Sequence, residues 1–434
     1  MTAIITEKTR RNLATHIFDD VGNDSNEYFI AIGRSEDWPN EPTASTPSVS
    51  EREERLFRYS LQAVKRVQSN FKYVVPKTVW TNGTIYSQYN DNVVSHPTTS
   101  YYVLTSEKRV YICIKQGKDT NGTAKVSTNV PSHTSPRVQS YADGYTWRYM
   151  YTISTDDYDN YVTSAYMPIG DADTDSAAPG GQILGYRVVD GGSSFTSTPT
   201  ITIIGDGDSA EATASIFGNQ IVDVYPTDTS KYGNSYNYAN VVVTGGGGSG
   251  ADIVPIFGPG PDSGLGADPK IYLRASAVMM IADFNGDGDG DLVLNNDYRQ
   301  VGVIKNMKKY GGNDSDITDV ISRTLKYMTV STVTNFEADN TIEKTETAGT
   351  AKAYIDYVDT SNLRLWYHQT ETTGFIDFTT GSGLTSSGGG TDTISSLPDP
   401  EADIHTGEVL YIDNREAIDR TIESNDDIKI VFQI

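Results

Sequence analysis

The sequence of 434 residues has a single cysteine, Cys113, and only five histidines. One cysteine excludes an internal disulfide, and its place in the apolar run VYICI predicts a buried small side chain rather than a catalytic thiol. The histidines show no HxxxH or HxH spacing, so no local pattern indicates a zinc site or a histidine-based triad. They are His16, His96, His133, His368 and His405. We interpret them as surface or packing residues.

Long apolar runs and positive charge are also scarce. No run approaches the roughly 20 apolar residues of a membrane helix, and the N-terminal MTAIITEKTRRNLATHIFDD lacks the apolar centre of a secretion signal. Lys and Arg number 34 against 57 Asp and Glu, a formal net charge of -23. Such an acidic chain repels phosphate backbones and anionic membranes. We therefore expect a cytoplasmic protein with no nucleic-acid partner and no membrane partner.

The residues that are abundant favour β structure. There are 28 Tyr against 12 Phe, and 39 Gly, with Thr, Ser and Val crowding the middle of the chain. This composition is typical of half-buried strands joined by tight turns. The length predicts two to four domains. The expected fold is mainly β, with a small α/β N-terminal part and antiparallel β-sandwich or barrel domains that include two inserted β modules.

Two helices are predicted near the N-terminus, on either side of the apolar strand EYFIAIG. The first covers residues 6–21, with Thr6 capping its start and Gly22 ending it. Its apolar residues lie one turn apart: Leu13, Ile17 and Val21. The second is EREERLFRYSLQAVKRVQ, preceded by a capping box of Ser50 and Glu53. Its apolar residues are predicted to share a face: Leu56, Ala63, Val64 and Val67.

From residue 71 onward the spacing changes to that of strands. YYVLTSEKRVYICIK and DGYTWRYMYTI predict antiparallel strands with polar turns, and DADTDSAAPGG at 171–181 predicts a linker. Residues 192–217 and 233–257 then repeat the same order of strand, glycine turn and strand. We expect this pair to form self-similar hairpins in a small β unit.

These observations divide the chain into five segments. Residues 1–180 form the N-terminal core, 181–268 a glycine-rich inserted module, and 269–324 a return to the core. Residues 325–402 form a second inserted β module, containing KAYIDYVDTSNLRLWYHQ and a low-complexity run. Residues 403–434 supply two strands that complete the core, and the last one, IKIVFQI, predicts a buried C-terminus.

An acidic stretch, DFNGDGDGDLVLNND at 283–297, raises the question of calcium. Its oxygen ligands follow the spacing of a calcium loop: Asp283, Asn285, Asp287, Asp289 and Asp291. An EF-hand is excluded because Leu294 stands where a bidentate Glu is required and the flanks are strand-like. A shorter calcium loop and a solvated acidic turn both stay open over 283–291, and the turn is favoured. No metal ligand is therefore assigned.

No other motif indicates chemistry. GGGGSG at 245–250 matches a dinucleotide-binding pattern, but the strand-like ADIVPIF that follows offers no helix N-terminus for a phosphate. Carboxylate pairs carry no information in so acidic a chain. We therefore expect no catalytic residue, no cofactor and no small-molecule substrate, and predict that the protein is not an enzyme.

Three stretches in order along the chain carry a resemblance to a known family. They are FIAIGRSEDW at 29–38, ADGYTWRYMYTIS at 142–154 and HTGEVLYIDNREAIDRTIESNDDIKIVFQI at 405–434. Their wording and positions resemble the baseplate wedge protein of T4-like contractile-tailed bacteriophages, a dimeric subunit. DYRQVGVIKNM at 297–307 is similar to a further strand of that family. The segment before that strand varies in the family, so the resemblance favours an acidic turn over a calcium site.

The chain also departs from that family. The regions near 181–268 and 325–400 have no counterpart that we can place, which indicates inserted modules. The proline expected after NR is absent, because this chain reads NREAI at 414–418.

The resemblance implies a structural role in the virion tail baseplate. The subunit would form a homodimer and link neighbouring wedge proteins during assembly and the triggering of sheath contraction, after synthesis in the host cytoplasm. Aromatic residues that are candidates for interfaces, or for the core, are Trp38, Trp80 and Trp147. The alternative is a receptor- or carbohydrate-binding tail fibre protein.

Overall fold

The computed structural model of the protein describes residues 6–47, 50–92, 100–135, 137–170, 180–259, 264–265, 267–285, 296–312, 314–421 and 424–434. Strands account for 47% of the structure and helices for 9%, and the sheets are antiparallel. The prediction of a mainly β fold is therefore confirmed. Within the described ranges no helix is long and apolar enough to span a membrane. The predicted linker at 171–179 lies outside the described residues.

The described chain forms four helices and a series of mostly short strands. The helices are α1 (Glu7–Val21), α2 (Glu51–Tyr59), α3 (Thr155–Tyr161) and α4 (Pro269–Tyr272). The first strands are β1 (Tyr28–Gly33), β2 (Leu61–Val67), β3 (Phe71–Pro76), β4 (Tyr102–Leu104), β5 (Arg109–Lys115), β6 (Gln139–Ser140), β7 (Thr146–Thr152) and β8 (Tyr166–Pro168). The middle region contains β9 (Ile183–Ser193), β10 (Thr200–Gly205), β11 (Asp208–Ala210), β12 (Ala212–Phe217), β13 (Gln220–Pro226), β14 (Tyr232–Asn234), β15 (Ala239–Thr244) and β16 (Ser249–Phe257).

The remaining strands follow the acidic stretch or lead into it. They are β17 (Ala277–Asn285), β18 (Asp297–Lys305), β19 (Lys308–Lys309), β20 (Ile321–Arg323), β21 (Lys326–Val330), β22 (Thr341–Glu346), β23 (Gly349–Asp359), β24 (Arg364–His368), β25 (Gly381–Ser386), β26 (Thr391–Ser396), β27 (Ala402–Asp403), β28 (Glu408–Asp419) and β29 (Asn425–Gln433).

The chain divides into two compact units. Unit 1 comprises Met1–Ile17, Lys72–Met279 and Val431–Ile434, and unit 2 comprises Phe18–Phe71 and Met280–Ile430. The chain passes from one unit to the other inside α1, β3, β17 and β29.

In unit 1, a four-stranded sheet with the order β4-β5-β7-β6 holds the aromatic core. The predicted strands of 101–115 and 143–153 are confirmed here, and β5 pairs with β7 with Cys113 opposite Trp147. Both side chains are fully buried, so the prediction of a packing cysteine is confirmed. Burial raises the pKa of the Cys113 thiol.

The glycine-rich repeat folds differently from the prediction of two separate hairpins. Two pairings join one copy to the other, β10 with β15 and β11 with β14. β9, most of which precedes the first copy, pairs with β16, and β12 pairs with β13, which lies between the copies. The equivalent strands β10 and β15 even pair with each other, from Thr200 opposite Thr244 to Gly205 opposite Ala239. Each copy has too few strands to cover its own apolar face, so the two copies complete one core. The GGGGSG segment is the turn between β15 and β16, with positive φ at Gly245, Gly246 and Gly247.

In unit 2, a five-stranded sheet has the order β20-β2-β1-β18-β28. Tyr28 of β1 lies opposite Val67 on one side and Lys305 on the other. The helix α2 packs on this sheet through Phe57. An added Cβ at Gly302 would lie 2.4 Å from the Phe57 ring, so the ring requires glycine at that position.

Residues 326–396 of unit 2 form a closed six-stranded barrel with the order β21-β24-β23-β22-β25-β26. Its core is apolar, and its largest buried residues include Phe336, Tyr367 and Phe378. The low-complexity run contributes β25 and β26, each anchored by one fully buried residue, Leu384 or Ile394.

Three local predictions need correction. The first helix is confirmed, but its buried face is not the predicted one. Ala14 and Val21 are buried, whereas Leu13 lies beside that face and is 41% exposed. The second helix ends at Tyr59, and the run LQAVKRV is the strand β2. Pairing with β1 and β20 outweighs its helical spacing. The chain end is only partly buried at Ile434, whose N–H donates to the carbonyl of Ser276 at 3.1 Å.

Candidate functional site

The candidate site of unit 2 begins at the turn after β1, where the GRSEDW motif starts. Gly33 leaves no room for a side chain, because a Cβ there would lie 2.6 Å from the carbonyl oxygen of Ser60. Arg34 then takes a positive φ of 61°. The chain therefore leaves the sheet sharply, and the residues after the turn meet the ends of β18 and β28.

Arg299, in the DYRQ motif on β18, organises this turn. Its side chain is 4% exposed, and Nη1 donates to the carbonyl of Ser35 at 2.5 Å. The guanidinium also forms ion pairs with three carboxylates, at 2.5, 2.8 and 3.3 Å. These belong to Asp37, Asp297 and Glu41. A planar guanidinium can bind several acceptors at once, so one buried cation fixes the whole turn.

Trp38 joins the same turn to β28. Its ring is buried, and Nε1 donates to the carbonyl of Arg415 in the NREAI motif at 2.7 Å. The guanidinium of Arg34 lies 4.1 Å from the ring centroid. The backbone N–H groups of Trp38 and Ala417 bind Glu41 and lower the pKa of its carboxyl. Trp38 is thus a core residue of this corner, and so is Trp147 in unit 1, whereas Trp80 is partly exposed.

His368, on β24, connects the barrel to the GRSEDW turn. Its Nδ1 lies 2.9 Å from both carboxylate oxygens of Asp356, and its Nε2 lies 3.2 Å from Oε1 of Glu36. Burial opposes protonation, but Asp356 and Glu36 outweigh it and raise the pKa of His368 to about 10. The hydrogen bond from His368 also lowers the pKa of Glu36. We therefore assign His368 as an imidazolium at neutral pH.

Ser35, His368 and Asp356 lie together but lack the geometry of a catalytic triad. The hydroxyl of Ser35 donates to Oδ1 of Asp356 at 2.5 Å, and Nε2 of His368 is occupied by Glu36. A triad needs a histidine nitrogen that can take the serine proton, and both nitrogens are already bonded to carboxylates. This cluster therefore stabilises structure and does not activate the serine.

The second stretch of the resemblance, 142–154, forms a separate buried centre in unit 1. The carboxylate of Asp143 is 5% exposed and accepts the N–H groups of Thr128 at 2.8 Å and Asn129 at 3.0 Å. The rings of Tyr145 and Trp147 stack with centroids 5.8 Å apart. The Asp143 carboxylate of this motif is thus bonded internally, whereas Nε1 of Trp147 is buried without a hydrogen-bond partner among the described residues.

The acidic loop is described only at its edges. The strand before it, β17, confirms the strand-like flank, whereas Asp287, Asp289 and Asp291 lie outside the described residues. The carboxylate of Asp283 accepts from Nζ of Lys65 at 2.8 Å. This first candidate ligand is therefore already engaged by a cation, which favours the acidic turn.

The long strand β28 is an edge of the five-stranded sheet and is half open. Its C-terminal half is covered by the loop after Trp38, where Nδ2 of Asn414 also donates to the carbonyl of Ser45 at 2.9 Å. The half Glu408–Asp413 pairs with β18 on one side, and no other described strand covers it. Leu410 and Tyr411 are 41% and 40% exposed there.

The structure thus brings together three of the four stretches found in the sequence. Residues 29–38, 297–307 and the first part of 405–434 form adjacent strands of one sheet, and 142–154 belongs to unit 1. Sequence reasoning missed His368 as a central residue. The segment RLWYH could have indicated its position. Apolar residues stand at both odd and even positions there, which indicates a strand that is covered on both faces.

A comparison of the chain with protein-family models and with curated proteins finds no match.

Proposed function

We propose that this protein is a structural subunit of a contractile bacteriophage tail baseplate. In this role it forms a homodimer, links neighbouring wedge proteins during assembly, and helps hold the tail until sheath contraction is triggered. We infer the family from a resemblance in four stretches of the sequence, at 29–38, 142–154, 297–307 and 405–434. Arg299, Trp38 and Asp143 of these stretches are engaged in internal bonds, as a rigid connector requires.

The proposal of a dimer rests on the open half of β28, Glu408–Asp413. An uncovered strand edge presents unpaired N–H and C=O groups and favours pairing with another strand. Two copies of Glu408–Asp413 can pair antiparallel about a two-fold axis, because an isologous interface uses the same segment on both subunits. The exposed Leu410 and Tyr411 then become buried. The occupant we assign to this edge is therefore a second copy of the chain.

Light scattering of the purified protein tests the dimer. We expect a mass of twice 47.4 kDa. A monomer at all concentrations, or a trimer, contradicts the proposal, and a trimer favours a fibre protein.

A cryo-EM map of the assembled tail tests the location. We expect the density of both units in the baseplate wedge. Density confined to a fibre, or absent from the particle, contradicts the proposed role.

A further inference from the structure

Unit 2 contains a cavity of about 370 Å³, and its lining includes His368, whose two ring nitrogens are already bonded to Asp356 and Glu36. It lies between the end of α2, the start of β21 and the segment around β27. Ligand pockets begin at roughly 300 Å³, so this one has the size for a small ligand and not for a long chain. The residues that line the cavity lie in the described part of unit 2.

One wall of the cavity is aromatic and open to solvent. The rings of Tyr59 and Phe375 lie with centroids 4.8 Å apart, and His405 lies 6.2 Å from Tyr59. Phe375 is 52% exposed and Tyr310 is 38% exposed. Exposed rings grouped at a cavity mouth provide an apolar surface on which a ligand can pack.

Another part of the lining offers buried hydroxyl groups. Thr324 is 5% exposed, and its Oγ1 has no hydrogen-bond partner in the part of the chain that the structure describes. Tyr367 is equally buried, and burial, together with Asp377 and Tyr310, raises its pKa, so its hydroxyl stays protonated. A buried hydroxyl without a partner is unfavourable, so a ligand that supplies a partner gains affinity.

The charges at the rim distinguish between ligand classes. Asp377 pairs with Lys326 at 3.6 Å, and Asp403 accepts the N–H of His405 at 2.9 Å. These carboxylates are already engaged, so the site does not demand a cation, and they still have oxygens free for further donors. Among the described lining residues, the buried hydroxyl without a partner is that of Thr324, which is neutral.

We propose that this cavity binds one or two rings of a neutral carbohydrate. The apolar C–H face of a sugar ring packs on Phe375 and Tyr59, its hydroxyls bond to Thr324 and Tyr367, and others donate to the rim carboxylates. This inference is independent of the dimer proposed above, because it uses no residue of β28. It adds a glycan-binding site to the body of the protein.

Saturation-transfer NMR on the full chain tests the site. The probes are glucose, galactose, mannose and N-acetylglucosamine, with sialic acid as an anionic probe and choline as a cationic probe. We expect signals from at least one neutral sugar and none from sialic acid or choline. The absence of a signal from every neutral sugar, or preferential binding of choline, overturns the proposal.

Two variants locate the bound sugar, and one matched variant controls for them. Phe375→Ala removes the stacking surface, and we expect binding of the sugar that responds to weaken about tenfold, or about 1.4 kcal/mol. Thr324→Val keeps the shape and removes the hydroxyl, and should also weaken binding, with a melting temperature equal to or higher than that of the native chain. Phe217→Ala removes a ring of similar exposure, 50%, in unit 1 and should have no effect. Equal affinity in all three variants overturns the assigned position.

Discussion

Nδ1 of His368 lies within 2.9 Å of both carboxylate oxygens of Asp356. Together with Glu36, this contact attaches the barrel strand β24 to the turn that follows β1. These hydrogen bonds therefore hold the closed barrel against the five-stranded sheet of unit 2.

The pKa of His368 predicts how stability depends on pH. It is about 10 in the folded protein and about 6.5 in an unfolded chain. Between these values the folded state holds a proton that the unfolded state has released, so stability must fall as pH rises. Below about pH 6.5 the stabilisation is fully present. Thermal melting from about pH 6 to about pH 10 measures this slope.

The variant His368→Gln provides the control for that slope. It leaves Asp356 and Glu36 without their cation, and we expect it to be less stable by about 3 kcal/mol near neutral pH. Its melting temperature should fall less between pH 6.5 and 10 than that of the native chain. An identical pH slope in both proteins would show that another group is responsible.

Arg299→Ala should be among the most destabilising single changes in unit 2. This substitution removes the cation that pairs with Asp37, Asp297 and Glu41. Removal of one partner from a buried ion pair costs about 3–5 kcal/mol, because the remaining charge is left uncompensated. Arg55→Ala is the matched control, because Arg55 is 48% exposed and its ion pairs are at the surface. We expect less than about 1 kcal/mol there. Urea unfolding followed by fluorescence measures both, and equal losses would contradict the role given to Arg299.

Charge placed on the open half of β28 should dissociate the proposed dimer. Leu410→Lys and Tyr411→Lys put an ammonium group on the uncovered edge, which opposes pairing with a second copy. Light scattering should show the mass moving from dimer to monomer with unchanged circular dichroism. Val320→Lys is the control, because Val320 is 52% exposed beside β20, the opposite edge of the sheet. A dimer that persists in all three variants places the interface elsewhere.

Calcium should leave the melting temperature unchanged. Lys65 occupies a carboxylate oxygen of Asp283, the first candidate ligand of the acidic loop. A native-state ligand stabilises by mass action, so real binding would raise the melting temperature with calcium and lower it with a chelator. Differential scanning fluorimetry with calcium, magnesium and EDTA distinguishes these results. A rise with calcium alone would establish the loop as a calcium site.

Local patterns predicted the first helix and the strands of 101–115 and 143–153, and pairing partners explain the failures. The run LQAVKRV has helical spacing, but a central position between two strands made it β2, and spacing alone carries no information about neighbours. The two glycine-rich repeats were recognised, but not the pairing of strands between them. Nothing in either copy encodes which strand of the other it will bind.

The candidate site was partly visible in the sequence. The segments containing Trp38, Arg299 and Arg415 were singled out as motifs, and the sheet brings them to one corner. His368 was interpreted as an ordinary residue, because its partners Asp356 and Glu36 lie 12 and 332 positions away. Contacts over such separations depend on topology and leave no local spacing to detect.

Both β modules begin and end on paired strands. Ile183 lies opposite Phe257 in the glycine-rich segment, and Thr329 lies opposite Ser396 in the barrel. A host chain therefore needs only a narrow gap to accept either module, because entry and exit points are neighbours. Such a segment can be lengthened, shortened or replaced while the surrounding strands keep their register, so the modules and the rest of the chain can change in sequence at different rates.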